Sequence, residues 1–273
     1  MTGFSIELVP RNAASINDFR EYLDEGTAVT IAWPPQLDLR DMLTAACKLR
    51  REGMEPVPHL VARRIDSEQT LTELLAALAG EAGVTRLLCL GGDPERPAGP
   101  YADAGALIQP DRFRALGIRA IAVAGHPEGH AVMDAEKSRR VLANKVQRAG
   151  QAGLEVEVIS QFVLDPDTVI RWYEETFTTL GSPARLRIGI PAAVSGKRLL
   201  QLAASCGLGN SLAMLKKNGL RMARLAMQPG AGNSQVSALS QWSLNTPNVA
   251  GFHLYSFGSF EKTARWGRQH IAA

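Results

Sequence analysis

Leu87-Leu88-Cys89-Leu90-Gly91-Gly92-Asp93 is the stretch on which the reading of this chain turns. Four apolar residues in a row have the length and content of a fully buried parallel strand. Two glycines then leave the backbone bare, and an acid stands where the strand ends. Ligands of α/β proteins sit at that end of their strands, so Asp93 is a candidate functional residue. Gly91-Gly92-Asp93-Pro94 is equally a run of favoured turn residues. The other strand ends have to separate the two readings.

Working backward, Ser67 begins a helix rich in Leu and Ala that ends at Gly83. Pro56–Val61 before it is a strand with His59 inside, and Asp38 caps a helix that runs to about Glu52 and stops at Gly53. Ala28–Trp33 is a strand closed by Pro34-Pro35. Ser15 opens an amphipathic helix to about Asp24, with Ile16, Phe19, Tyr22 and Leu23 on one face, and Phe4–Val9 is the first strand.

Working forward, Tyr101–Leu116 reads as a helix with a break at Pro110. Ile118–Ala124 is a strand and leads into Gly125-His126-Pro127-Glu128-Gly129-His130, and a long helix covers about Asp134–Ala149. Glu155–Phe162 and Leu186–Ile190 are strands, followed by helices over Asp165–Thr178 and from Ser195. Leu208 to Trp242 reads as helical in two pieces, parted by Pro229-Gly230-Ala231-Gly232. Val249–Tyr255 is the last strand, and Ser259 is the expected N-cap of a closing helix, Phe260–Ile271.

The pattern is eight strand–helix units in strict alternation, each of about 30 residues. No linker or break in composition divides them. The expectation is a single (β/α)₈ TIM barrel over residues 1–273, with an extra helical excursion before the eighth strand. A doubly wound open sheet is the rival.

Composition narrows the function. Of 273 residues, 45% are aliphatic or aromatic, enough for a substantial core. The 30 basic residues are interleaved with 27 acidic ones for a net charge of +3, without a basic stripe carrying aromatics, which argues against nucleic acid as the partner. Cys47, Cys89 and Cys206 are far apart and in no C-x-x-C pair, as in a reduced, cytoplasmic protein. No apolar run approaches a membrane span, and the chain enters a strand-like run by Phe4 without a signal-peptide core. The expected protein is soluble and cytoplasmic, acts on a small molecule and needs no membrane; a homo-oligomer is left open.

On a barrel the strand ends offer Glu7, Thr30, His59, Asp93, the His126–His130 loop, Gln161 and Tyr255. Glu7 lies between Ile6 and Leu8. A carboxyl there is costly to bury unless it is paired or working, and desolvation would raise its pKa to suit a general acid. The bland alternative pairs it with Arg11. His126 and His130 flank Glu128 and invite a metal, but Pro127 and Gly129 oppose the helix that would align them, and no further ligands complete a set. A polar loop that contacts a ligand is the better expectation. Lys145 falls on the inner stripe of its helix with Val141, Leu142, Val146 and Ala149, where it either snorkels to the rim or meets an anion such as phosphate. Gly207-Leu208-Gly209 and Gly230-Ala231-Gly232 follow no strand, and Gly196 is uninformative, so no Rossmann site is indicated.

Together these residues resemble the methylenetetrahydrofolate reductase family, in the short bacterial form that is a catalytic barrel only. Phe4-Ser5-Ile6-Glu7 is similar to the family's Ser-Phe-Glu-Phe strand, whose glutamate is the proton donor. Val29-Thr30 matches its second strand, and Pro58-His59-Leu60 its Pro-His-Leu. Gly92-Asp93 resembles the Arg-Gly-Asp that meets flavin and folate, and Pro127-Glu128-Gly129-His130 the Tyr-Pro-Glu-x-His loop. Ser160-Gln161-Phe162 is similar to Thr-Gln-Phe, and Phe252-His253-Leu254-Tyr255 to Phe-His-Phe-Tyr. The matches run in order along nearly the whole chain.

The resemblance implies FAD as cofactor, NAD(P)H as co-substrate and 5,10-methylenetetrahydrofolate as substrate, with ping-pong hydride transfer that forms 5-methyltetrahydrofolate. It casts Glu7 and Asp93 as catalytic residues. Thr30, His59, Gly92, Asp93 and Tyr101 would serve the cofactor, as would His126, His130 and Lys145. Asp93, Gln161 and Tyr255 would serve the substrate. The chain departs from the pattern at Gly91, His126, Gly258 and Ala32-Trp33-Pro34-Pro35, positions that serve FAD in the family. Another one-carbon barrel enzyme, a folate-dependent methyltransferase or a flavin-free methylenetetrahydrofolate reductase, stays open, as does a non-catalytic binding relative.

Overall fold

Alternate residues of a strand point to opposite sides of the sheet, and here both sides are buried. Ile6, Leu8, Val29, Ile31, Leu87 and Cys89 turn to one side and join the large core beneath the helices. Val57, Leu88, Ala122 and Ile159 turn to the other and form a small core of their own. A sheet with a private apolar interior is a sheet closed on itself.

The computed structural model describes residues 3–191 and 231–271 apart from 131, 164, 182 and 258. Its strands are β1 Phe4–Leu8, β2 Ala28–Ile31, β3 Glu55–Val61, β4 Arg86–Leu90, β5 Ala120–Gly125, β6 Glu155–Ser160, β7 Arg185–Ile190 and β8 Val249–Leu254. They pair in chain order into a closed barrel, all parallel, with β8 returning to β1. The chain is a (β/α)₈ TIM barrel, as the alternation of strands and helices predicts.

The helices are α1 Leu39–Arg51, α2 Glu68–Gly80, α3 Ala104–Leu107, α4 Pro110–Ala115, α5 Ala135–Gln151, α6 Pro166–Glu175, α7 Ala231–Ser243 and α8 Phe260–His270. Asp38 and Ser67 cap α1 and α2 by accepting from the Arg40 and Thr70 N–H groups. Helix α7 is the second piece of the excursion before β8. The expectations on Ser195, Gly196, Cys206, Gly207–Gly209, Gly230 and Gly258 lie outside the described residues.

Three local readings are corrected. Ser15–Asp24 is no α-helix: short 3₁₀ turns cover Pro10–Ser15 and Phe19–Glu21. Ile16, Phe19, Tyr22 and Leu23 are buried as the pattern requires. However, the backbone between them is engaged from outside. Lys48 donates to the carbonyls of Ala13 and Ile16, and the Phe19 N–H donates to the Glu52 carboxylate at 2.7 Å. The helix expected over Tyr101–Leu116 starts only at Ala104; its expected break at Pro110 is found, since Pro110 has no N–H to give and forces Gln109 out of the helical region. Ser259 precedes α8, but its side chain makes no cap hydrogen bond.

At the N-terminal end of the barrel, Glu157 and Arg187 form an ion pair at 3.1 Å with both side chains largely buried. Among the described residues no helix is long and apolar enough to cross a membrane.

Candidate active site

Glu7 is the lumen-facing residue near the end of β1, level with Thr30 on β2. It has no hydrogen-bond or ion-pair partner among the described residues, so the Arg11 pairing does not form. With no cation to favour its charge, burial pushes the Glu7 pKa up from 4.5 to about 7. Beside it are two polar atoms in the same condition. Thr30 Oγ1 and His59 Nε2 are buried without a hydrogen-bond partner. Burial drives the His59 pKa down to about 3, which leaves a neutral imidazole. Buried polar groups are nearly always satisfied, so a cluster of unsatisfied ones at a barrel mouth marks a place for a ligand.

The lumen below Glu7 is closed by a pair that the sequence pattern did not single out. Ser5 Oγ and His253 Nδ1 lie 2.8 Å apart across the β1–β8 seam. Burial first, then the charge of Arg187 and the neighbouring His59, hold the His253 pKa well below its usual value. The period-2 alternation that put Glu7 in the lumen also puts Ser5 there, and that was the available signal.

The Gly91-Gly92-Asp93 loop is a turn beyond the end of β4. Gly92 has φ +95°, and a Cβ there would come within 2.5 Å of a Val61 methyl, so only glycine fits. The Asp93 side chain is 96% exposed, with Arg64 its cation at 3.5 Å. Arg63 and Arg64 follow β3 and tie the rim together. Arg63 donates to the carbonyls of Ala102 at 2.8 Å and Pro94 at 3.0 Å, and Arg64 donates to the carbonyl of Trp33. These arginines were missed because their role depends on loops that meet only in space.

After β5 the His126 and His130 rings meet edge to face, with centroids 4.7 Å apart. His130 Nδ1 accepts the Val132 N–H at 3.2 Å, which leaves Nε2 as the protonated nitrogen of the neutral ring. Burial, then His130, then Lys145 lower the His126 pKa to about 4; burial, Lys145 and Arg63 lower that of His130. Lys145 stands on the inner stripe of α5 beside the buried Leu142 and Val146. Its pKa falls through burial, although Cys89 and Asp103 act in the other direction. Among the described residues no group of three or more His, Cys, Asp or Glu is placed to hold a metal ion.

On the opposite side, the Gln161 side-chain oxygen Oε1 accepts the Phe162 N–H at 3.1 Å. The Tyr255 hydroxyl donates to the Ser160 carbonyl at 3.0 Å, which brings the ends of β6 and β8 together. Gly189 on β7 makes this possible, since a Cβ there would sit 2.3 Å from the Ser160 oxygen and 2.8 Å from the Tyr255 ring. Glu7, Thr30, His59 and Tyr255 thus belong to the barrel strands and their ends, with Asp93, His126, His130 and Gln161 on the loops that follow. Tyr101 does not join them. It is buried, and its hydroxyl donates to Glu68 on α2, a carboxylate that Arg112 also holds.

The family described as methylenetetrahydrofolate reductase matches residues 10–264. The chain belongs to the methylenetetrahydrofolate reductase family. Solved structures of similar shape show the fold alone. A dihydropteroate synthase from Thermus thermophilus superposes with TM-score 0.50 at 15% identity, over 98% of this chain and 89% of that one. A putative phosphonomutase from Burkholderia cenocepacia does so with TM-score 0.51 at 12% identity, over 94% and 88%. In this member of the methylenetetrahydrofolate reductase family, Glu7 is a lumen carboxyl with no partner among the described residues and a pKa raised by burial.

Proposed function

We propose that the chain reduces 5,10-methylenetetrahydrofolate to 5-methyltetrahydrofolate with NAD(P)H, through FAD and in ping-pong order. The observation that carries this reading is Glu7, an unpaired carboxyl in the barrel mouth whose pKa of about 7 leaves a large share protonated at neutral pH. A general acid works best when its pKa lies near the working pH. Glu7 gives its proton to N10 of the substrate as the bond from the methylene carbon to N10 breaks. That leaves an iminium carbon ready for hydride, and Glu7 recovers a proton from water.

The residues present fit a flavin. Thr30 Oγ1 and His59 Nε2 are buried and lack partners, Lys145 and the His130 ring provide a cation and a donor, and Gly91-Gly92 bares the backbone. When bound, FAD supplies the store that accepts hydride from NAD(P)H and delivers it to the iminium carbon. Asp93 contributes negative charge at the rim, and a carboxylate near the ring lowers its potential. Gln161 has an amide that both donates and accepts, which suits it to serve nicotinamide and pterin in turn.

Two observations favour a second reading, a flavin-free reductase of the same substrate. Asp93 turns to solvent against Arg64, and Tyr101 turns away onto Glu68. The absorption spectrum of the purified protein, before and after titration with FAD, separates the two. A flavin band that NAD(P)H bleaches and methylenetetrahydrofolate restores supports the first. A protein that acquires no flavin yet oxidises NAD(P)H with methylenetetrahydrofolate establishes the second.

A further inference from the structure

The N-terminal end of the barrel has an opening of its own. A cavity of about 580 Å³ lies there, near the starts of β1, β2, β4 and β7 and the end of α8, at the far end of the barrel from Glu7. That volume falls within the span of small-molecule sites, roughly 300–1,000 Å³. Phe4 and Ile271 give the cavity an apolar side. Arg86, Arg187 and Arg268 bring three guanidinium groups to it from distant parts of the chain.

The three cations are not equally engaged. Arg187 is committed, since Glu157 holds it at 3.1 Å and both side chains are largely buried. Arg86 reaches only Glu155, at 3.5 Å, and that side chain is 74% exposed. The Arg86 guanidinium makes no hydrogen bond among the described residues. Arg268 faces Asp24 at 3.2 Å, a side chain 68% exposed, and donates to the Glu21 carbonyl at 3.3 Å. Glu25, the other acid of the lining, is exposed as well. Exposed ion pairs add little to stability, so closing the barrel does not account for Arg86 and Arg268 as it does for Arg187. An exposed carboxylate can turn out into water at little cost, which leaves these two guanidinium groups open to another anion.

We propose that this cavity binds a small organic oxyanion, a carboxylate or a phosphate on an apolar body. Arg86 and Arg268 supply the cations for the anionic head, and Phe4 with Ile271 supplies the surface for the carbon body. The planar guanidinium fork suits both kinds of head, because it offers them two parallel hydrogen bonds. The site is separate from the barrel mouth and independent of the function proposed above. Its lining joins β1 to the end of α8, so an occupant stabilises the closed barrel by binding only the folded chain.

The test uses the full-length protein as purified, with benzoate, phenyl phosphate and the neutral benzamide as probes. Sodium chloride holds every sample at one ionic strength. Melting curves and isothermal titration read binding in the parent, in Arg86→Gln and in Arg268→Gln. At least one of the two anions should raise the melting temperature of the parent, and benzamide should not. Each substitution should weaken that anion on the order of tenfold. A response to benzoate alone assigns the head to carboxylate, to phenyl phosphate alone to phosphate, and to both to oxyanions in general. Arg268 lies mostly at the surface, so Arg268→Gln decides the matter if Arg86→Gln fails to fold. The proposal is overturned if neither anion binds, or if benzamide binds as well as they do. Parental affinity in the folded variants places the anion elsewhere and overturns it too.

Discussion

At the N-terminal end of the barrel Glu157 meets Arg187 at 3.1 Å, whereas at the C-terminal end Glu7 meets no cation. Both carboxylates hang from parallel strands into the same lumen, and both are largely withdrawn from water. The first is answered by a guanidinium; the second is unanswered, and burial raises its pKa to about 7. The small apolar layer of Val57, Leu88, Ala122 and Ile159 stands in the same lumen. One end of a barrel can therefore be built for stability and the other for chemistry. The division is not complete, since Arg187 Nε is itself buried without a partner.

The largest effect should come from removing the acid. Glu7→Gln keeps size and hydrogen bonding but cannot protonate N10, so folate reduction should fall on the order of 10²–10⁴-fold. Flavin reduction by NAD(P)H, which needs no acid, should hardly change. Stopped-flow measurement of each half-reaction checks this, and equal slowing of both would make Glu7 structural.

At the other end the expectation reverses. Glu157→Gln leaves the Arg187 guanidinium largely buried and poorly answered, and should cost about 2–4 kcal/mol of stability, with turnover per folded molecule preserved. Urea unfolding and active-site titration together would show it. A variant with parental stability would dissolve the contrast between the two ends.

Within the C-terminal end, Glu7 and His59 should themselves part in their response to pH. Glu7 holds its proton more tightly folded than unfolded, with a pKa of about 7 against 4.5. Its contribution is therefore full in acid and lost as pH rises from about 4.5 towards 7, by up to roughly 3 kcal/mol. His59 is opposite: its folded pKa of about 3 lies below 6.5, so stability is lost as pH falls from 6.5 towards 3. Melting temperatures across pH 4 to 9 should show Glu7→Gln flattening the alkaline limb alone and His59→Gln the acid limb alone.

The smallest change in stability belongs to the exposed pair. Asp93→Asn removes a carboxylate that is 96% exposed from Arg64 at 3.5 Å, and should shift stability by less than about 1 kcal/mol. On the proposed flavin reaction it should act more strongly: folate reduction should slow more than NAD(P)H oxidation, because losing negative charge near the ring would raise its potential. Equal slowing would reduce Asp93 to a loop residue.

The barrel was legible because each strand is a short apolar run with a polar residue at its end, and eight of them recur at one spacing. Glu7 was legible for the same reason, as an acid between Ile6 and Leu8. Where the reading failed, distant groups decided. The stripe from Ile16 to Leu23 is buried as expected, but Lys48 takes carbonyls that a helix would need. Tyr101 sits at the right distance along the chain for the site, yet Glu68 captures its hydroxyl from a different helix. Ser5 and His253 are 248 residues apart, and no local pattern links them. Periodicity reports which face is buried; it does not report what waits on the far side.

That last pair has a consequence for how the enzyme comes into being. The β1–β8 seam joins the first strand of the chain to the last, and closing so long a loop is entropically expensive and slow. Until β8 docks, one flank of β1 is open to water and Glu7 is an ordinary, ionised carboxylate. Burial in the closed barrel is what raises its pKa, so a nascent chain that lacks β8 carries Glu7 in its sequence but not yet the acidity that the proposed reaction requires.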